Sequence, residues 1–188
     1  DLGAAARFAA QVRWQAARLS RIVSDLLDLS RLETERPVVQ SVRLDRLVTE
    51  ETNRLLESAR DAGVDVGVET SLVTVRGSSK DLALLVRNLL DNAVRYTPPG
   101  GKVTIGLAED DGQVRLTVED TGIGIPTRDL PRIFERFYRV DRARSRETGG
   151  TGLGLSIARH VVEQHGGRIQ ARSQLGQGSS FIVTFPGA

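Results

Sequence analysis

The chain has 188 residues, with 26 Lys plus Arg against 24 Asp plus Glu, a formal net charge of +2. Charged residues make up 27% and apolar ones 39%, the balance of a folded globular protein, and so small a positive excess gives no reason for a nucleic-acid partner. The absence of Cys and the presence of two His, His160 and His165, exclude disulfides, thiol catalysis, Cys-ligated clusters and a histidine-rich metal site.

Purely apolar stretches such as Leu82 to Val86 are too short to span a bilayer, and no signal-peptide layout opens the chain. The expectation is a reducing, aqueous, cytoplasmic setting with no membrane contact by these residues.

From about Ala4 to Leu32 there is no Gly or Pro, and Phe8, Val12, Gln15, Leu19, Ile22, Leu26 and Leu29 step alternately by four and three. That is a heptad seam, widened by Ala16, Val23 and Leu27, so the helix fits a bundle. A helix of roughly 28 residues would be ~42 Å long, too long to lie wholly on a small domain. Folding back on its own domain is therefore the less favoured reading, and Trp14, off the seam, reads as a half-exposed surface residue.

Pro37 stops this helix. Leu44 to Ala62 then reads as an amphipathic helix, and Val64, Val66 and Val68 alternate as a half-buried strand with Val73 to Val75 as its short partner. Ser79 to Tyr96 is a helix capped by Ser78 or Ser79. Lys102 to Ala108 and Gln113 to Glu119 form a hairpin across Asp110-Asp111-Gly112. Leu153 to His165 is a helix closed by Gly166-Gly167, and Arg168 to Ser173 and Ser179 to Phe185 are two more strands. Antiparallel strand pairs with helices between them predict an α+β sandwich, one sheet under a helical layer.

Three places carry chemistry. In Asp120-Thr121-Gly122-Ile123-Gly124-Ile125, Asp120 keeps the parity of the apolar Val114, Leu116 and Val118, so its carboxylate points toward the apolar layer and needs a donor. An adenine exocyclic amine is one such donor; an ordinary Asp-Thr-Gly turn is the alternative. Gly150-Thr151-Gly152-Leu153-Gly154-Leu155 leads directly into a helix, where backbone N–H groups and the dipole favour phosphate, though flexible loops share the pattern. Asn88, Asn92 and Arg95 share one helix face, with amide oxygens of the hard type that suits Mg²⁺ or, alternatively, a neighbouring loop. Between the glycine sites, Phe134 to Arg146 reads as a solvated loop or as a lid bringing Arg139 and Arg144 to terminal phosphates, with Gly149 and Gly150 as its far hinge.

Taken in series these residues resemble the sensor histidine kinases of two-component systems. Asn88 to Ala93 is similar to the N box, Asp120 to Gly124 to the G1 box, Phe134 to Tyr138 to the F box, Gly150 to Gly154 to the G2 box and Gly176-Gln177-Gly178-Ser179 to the G3 turn. The resemblance implies a Bergerat-type ATP-binding α/β sandwich over residues 37–188. It implies that residues 1–36 are the second helix of the dimerisation and histidine-phosphotransfer domain.

The resemblance further implies that Asp120 binds the adenine amino group, with Tyr96, Gly122, Gly124, Ile125 and Ser179 close to the nucleotide. Asn88 and Asn92 would hold Mg²⁺, Arg95 would face the phosphates, and Gly150, Thr151, Gly152, Leu153, Gly154 and Leu155 would wrap the phosphate chain. Arg139 and Arg144 would act on the γ-phosphate of ATP. Implied partners are ATP or ADP, a homodimer mate through the leading helix, and a response regulator; the parent protein would be membrane-anchored, as is usual for the family.

In related hydrolytic ATPases the position of Asn88 is a glutamate general base, and Asn takes no proton, so the site reads as one that holds ATP for transfer to a protein acceptor. The acceptor helix with its His-Glu motif is not among these residues, so the chain is expected to bind Mg–ATP without phosphorylating itself. The competing readings are an ATPase of the gyrase, Hsp90 or MutL type, a serine kinase of the anti-sigma type, and a nucleotide-binding dimerisation module that catalyses nothing.

Overall fold

The computed structural model describes residues 2–140 and 150–187. In chain order the elements are α1 (Leu2–Thr34), β1 (Gln40–Arg43), α2 (Leu44–Asp61), β2 (Asp65–Thr70), β3 (Thr74–Gly77), α3 (Ser79–Tyr96), β4 (Lys102–Asp110), β5 (Gln113–Asp120), α4 (Gly154–Gln164), β6 (Arg168–Gln174) and β7 (Gly178–Pro186).

Five strands form one sheet in the order β2-β4-β5-β7-β6, and β1 pairs with β3 in a separate antiparallel ribbon. The alternation of β4, β5 and β7 buries Val103, Ile105, Val114, Leu116, Val118, Phe181 and Val183 against Leu82, Leu85, Val86 and Leu89 of α3 and Ile157 and Val161 of α4. Each fully buried aliphatic side chain of this kind contributes about 1.5–3 kcal/mol over its exposed state. One face of the sheet thus lies under α2, α3 and α4, an α/β sandwich as the sequence predicts.

Local chemistry accounts for the punctuation. Ser78 caps α3, its hydroxyl accepting the Asp81 N–H at 3.3 Å. Asp111 and Gly112 both have positive φ, 49° and 71°, the shape of a two-residue turn whose twist suits a hairpin.

Three expectations need correction. Residues 73–75 do not pair with the preceding strand: β3 pairs with β1, register Val42 opposite Val75. β1 itself has one buried side chain, Val42, too weak a signal to read from sequence. The strands are not all in antiparallel pairs either, because β2 runs parallel to β4, the chain crossing between them through β3 and α3.

The third correction concerns the leading helix, which does fold back over its C-terminal half. Leu29 and Leu32 are buried, Gln164 Nε2 donates to the Leu32 carbonyl at 2.6 Å, and Arg31 Nη1 lies 2.8 Å from Asp81 Oδ1. Arg136 pairs with Glu33. The N-terminal half keeps its seam in solvent, Phe8 being 70% and Leu19 62% exposed, and Trp14 is half-buried with Arg18 5.8 Å from its ring centroid. The last turns are held by polar and ionic partners that heptad periodicity does not register.

Candidate functional site

The end of β5, the C-terminal half of α3, the start of α4 and one face of α1 enclose a cavity of about 650 Å³. Of the site residues singled out from sequence, Asn88, Asn92, Arg95, Tyr96, Asp120, Gly124, Ile125, Arg139, Gly150, Thr151, Gly152, Gly154, Leu155 and Ser179 line it. Residues 120, 150 and 179 are far apart in sequence, and the sheet register brings two of them together: Asp120 stands opposite Ser179 across β5 and β7.

Asp120 is 8% exposed, as its strand parity requires. Its Oδ1 accepts the Gly122 N–H at 2.8 Å and the Ser179 N–H at 3.2 Å, which fixes the carboxylate. Burial nevertheless holds its carboxyl above the ordinary value, with those two N–H donors acting in the opposite direction. Gly122 does not line the cavity; it acts on the site through this bond, and a Cβ there would lie 2.6 Å from Asp120 Oδ1 and strike the Tyr96 carbonyl.

Asn88 Nδ2 donates to the Leu84 carbonyl at 2.9 Å, orienting the amide. Its Oδ1 faces the start of α4, 2.8 Å from where a Cβ on Gly154 would lie. Gly152 has φ +78° and packs so closely that a Cβ would lie 2.9 Å from Phe137 Cα, while the Phe137 N–H donates to the Gly152 carbonyl at 2.8 Å. Leu153 does not line the cavity: its side chain is wholly buried in the core and anchors the loop. Arg144 and Gly149 lie outside the described residues.

The cavity has more walls than the motifs indicate. Arg21, Ser24, Asp25 and Asp28 face it from α1, and Asp91 and Arg87 from α3. The Thr151 hydroxyl donates to Asp25 Oδ2 at 2.6 Å and accepts the Leu153 N–H at 3.2 Å. Tyr138, also at the wall, donates its hydroxyl to Asp129 Oδ1 at 2.7 Å under the Arg132 guanidinium. Tyr138 and Asp91 sit inside the motifs quoted from sequence and are findable there. The α1 residues share one helix face, at steps of three and four, but nothing in the sequence says which surface that face meets.

Neither histidine faces the cavity. His165 Nε2 accepts the Ser78 N–H at 3.0 Å, with Nδ1 2.7 Å from the Val161 carbonyl, so the ring ties α4 to the start of α3. A second cleft, of about 720 Å³, lies between the end of α1, α2 and the start of α3. Among its charged residues Arg31 pairs with Asp81 and Arg54 with Glu51, and none of the glycine motifs reaches it.

Residues 77–188 match the family described as histidine kinase-, DNA gyrase B- and HSP90-like ATPase. The sensor histidine kinase RppB of Synechocystis sp. is 44% identical over 180 residues, 93% of this chain and 39% of that protein. Among solved structures, the mycobacterial sensor histidine kinase MprB is 31% identical with TM-score 0.71, over 80% of this chain and 98% of that one. Full-length ShkA in complex with AMPPNP has TM-score 0.80 at 28% identity, over 97% of this chain and 38% of that one. The histidine kinase ThkA in complex with the response regulator protein TrrA has TM-score 0.74 at 27% identity, over 93% of this chain and 48% of that one. The chain spans less than half the length of the curated relatives it matches first.

Proposed function

The chain belongs to the histidine kinase-, DNA gyrase B- and HSP90-like ATPase family, in its sensor histidine kinase branch, and from that premise we propose that it binds ATP and presents the γ-phosphate to a histidine outside these residues. In this reading residues 37–188 are the catalytic ATP-binding domain and residues 1–36 the second helix of the dimerisation and phosphotransfer domain. The observation that carries the reading is Asp120: a buried carboxylate in the wall of the cavity, fixed by the Gly122 and Ser179 N–H groups on Oδ1. Adenine offers an amine there; guanine offers a carbonyl, which a carboxylate repels.

Tyr96, Ile125 and Ser179 flank the base, with Gly122 and Gly124 shaping the turn beneath it. Gly150, Thr151, Gly152 and Gly154, at the start of α4, offer the phosphates backbone N–H groups and a favourable dipole. Leu153 and Leu155 hold that turn, the first from the core. Arg95 and Arg139 bring positive charge to the same wall, and Arg144 belongs to the same lid in the sequence reading.

The donor set fits a magnesium ion. Asn88 turns its amide oxygen toward the glycine loop, Asn92 lies on the same face one turn away, and both are hard oxygens. Among the described residues no group of three or more His, Asp and Glu converges on a metal position, so the remaining ligands would be phosphate oxygens and water. Bound there, the ion would neutralise charge on the phosphates.

The absence of a general base at Asn88 disfavours hydrolysis, since an amide accepts no proton from water. Response-regulator docking and pairing with a second copy through the exposed seam of α1 are the partners of this reading. Among the described residues no helix is long and apolar enough to cross a membrane, and a cytoplasmic setting, with the parent protein anchored in the membrane, is part of the same proposal.

Incubation with γ-labelled ATP and Mg²⁺ tests the chemistry. The chain is expected to leave His160 and His165 unlabelled and to hydrolyse ATP no faster than a heat-denatured control. Acid-labile, base-stable label on either histidine would overturn the acceptor assignment, and sustained hydrolysis would favour an ATPase of the gyrase or Hsp90 type.

A further inference from the structure

Asp129 lies outside every motif legible in the sequence, and it is buried, 8% exposed. Its Oδ1 accepts the Tyr138 hydroxyl at 2.7 Å. Oδ2 is buried too and accepts no hydrogen bond, the Arg128 Nε standing 3.6 Å away on a largely exposed side chain. A buried carboxylate with one oxygen unsatisfied costs free energy rather than adding it. Nor does the local turn need it. The Asp129 N–H donates to the Pro126 carbonyl, the Arg132 N–H donates to the Asp129 carbonyl, and Ile133 anchors the segment in the core. What the acid does hold is a phenol in the cavity wall.

Tyr138 is fixed on three sides. Its hydroxyl is bound to Asp129, the Arg132 guanidinium lies 4.3 Å from its ring centroid, and its N–H reaches the Glu135 carbonyl at 3.3 Å. The bond to Asp129, more than burial, holds the phenol above its ordinary pKa, so it remains a donor. Just before it, Phe137 has φ +62°, a left-handed conformation rare for a bulky side chain, and its N–H donates to the Gly152 carbonyl at 2.8 Å. The residue after Tyr138 is Arg139, which lines the cavity. The chain thus enters Arg139 from a stretch tied to the glycine loop on one side and to Asp129 on the other.

Resting on the reading of this cavity as an adenylate site with Arg139 at the terminal phosphate, we propose that Asp129 is a positioning residue that acts through the Tyr138 phenol to hold Arg139 at that phosphate. Asp129 does not line the cavity, so its effect reaches a ligand only through Tyr138. Without the bond the phenol gains rotamer freedom, and Arg139 beside it turns to directions away from the anion. A long guanidinium side chain gains most from being held in one direction before its anion arrives. The γ-phosphate is the group that ADP lacks, so the contribution of Asp129 falls on ATP alone.

Calorimetric titration with ADP and with ATP, in the presence of Mg²⁺, tests this. Tyr138→Phe removes a single oxygen and Asp129→Ala removes its acceptor; each should weaken ATP about fivefold or more, with ADP kept within about twofold. Asp129→Asn keeps an oxygen that can accept the phenol, and should restore most of the ATP affinity that the Ala variant loses. Arg139→Ala should itself weaken ATP and spare ADP, and adding Tyr138→Phe to it should change nothing further.

Unchanged ATP affinity in Tyr138→Phe, or equal losses for ADP and ATP, would overturn the proposal even if Asp129→Ala does not fold. So would an Asn variant as weak as the Ala variant, or a Tyr138→Phe effect that persists without Arg139. An Arg139→Ala variant that binds ATP like the wild type would remove this inference and leave the adenylate reading intact. A wild type that takes up neither nucleotide would sink both.

Discussion

Arg31, near the end of the leading helix, lies 2.8 Å from Asp81 in the first turn of α3, and the Asp81 side chain is 3% exposed. The pair joins two segments 50 positions apart and pins the last turns of the arm to the domain. Removing the cation leaves a buried carboxylate without its partner, offset in part by the helix N-terminus in which it sits. Arg31→Ala should cost about 3 kcal/mol of stability. Urea unfolding followed by circular dichroism checks this; a loss below about 0.5 kcal/mol would mean the pair is effectively solvated.

The Arg43–Asp45 contact sets an acid limb. Arg43 donates through Nε and Nη2 to the two Asp45 oxygens, at 2.8 and 2.7 Å, and these bonds hold the Asp45 carboxyl down to about 2. A lowered carboxyl pKa adds stability above the unfolded value, near 3.8, and loses it as pH falls through the folded value. The wild type should therefore be more stable than Asp45→Asn at pH 5, with the gap closing as pH falls from about 4 to about 2. Paired unfolding curves across that range check the sign.

Asp120 acts in the opposite sense. Its raised pKa means that ionising it in the folded, ligand-free protein is unfavourable, so its contribution to stability declines as pH rises from the unfolded value through the folded one. Asp120→Asn should remove that decline and leave the ligand-free protein at least as stable at pH 7. Thermal unfolding without nucleotide at pH 4 and pH 7 measures it.

Gly152 tests the loop independently of the base site. With φ +78° and Phe137 Cα 2.9 Å from a Cβ position, Gly152→Ala must shift the loop or the backbone beside it. ADP and ATP should lose about tenfold or more in affinity, on the scale of a strained backbone position, while adenosine is spared. Equal losses for all three ligands would place the damage in the base pocket instead.

Much of this was legible from the sequence because the relevant signals are local. Strand parity placed Asp120 against the apolar layer, helical spacing put Asn88, Asn92 and Arg95 on one face, and glycine spacing marked the loop before α4. What stayed hidden depends on tertiary pairing. β1 has a single buried side chain and exists through its partner β3, and the parallel placement of β2 follows from the route of the crossover rather than from its own residues. Nothing in the sequence says which surface the face of α1 bearing Arg21, Asp25 and Asp28 meets; its place at the cavity comes from docking through Leu29, Arg31 and Leu32.

The most direct check of the account is calorimetric titration of the wild type and Asp120→Asn with ADP, ATP and GTP in the presence of Mg²⁺. The wild type should bind both adenine nucleotides and discriminate against GTP, and the variant should lose about a hundredfold or more in adenylate affinity while remaining folded. Matching affinities in the two proteins, or a wild type that takes GTP as readily as ATP, would contradict it.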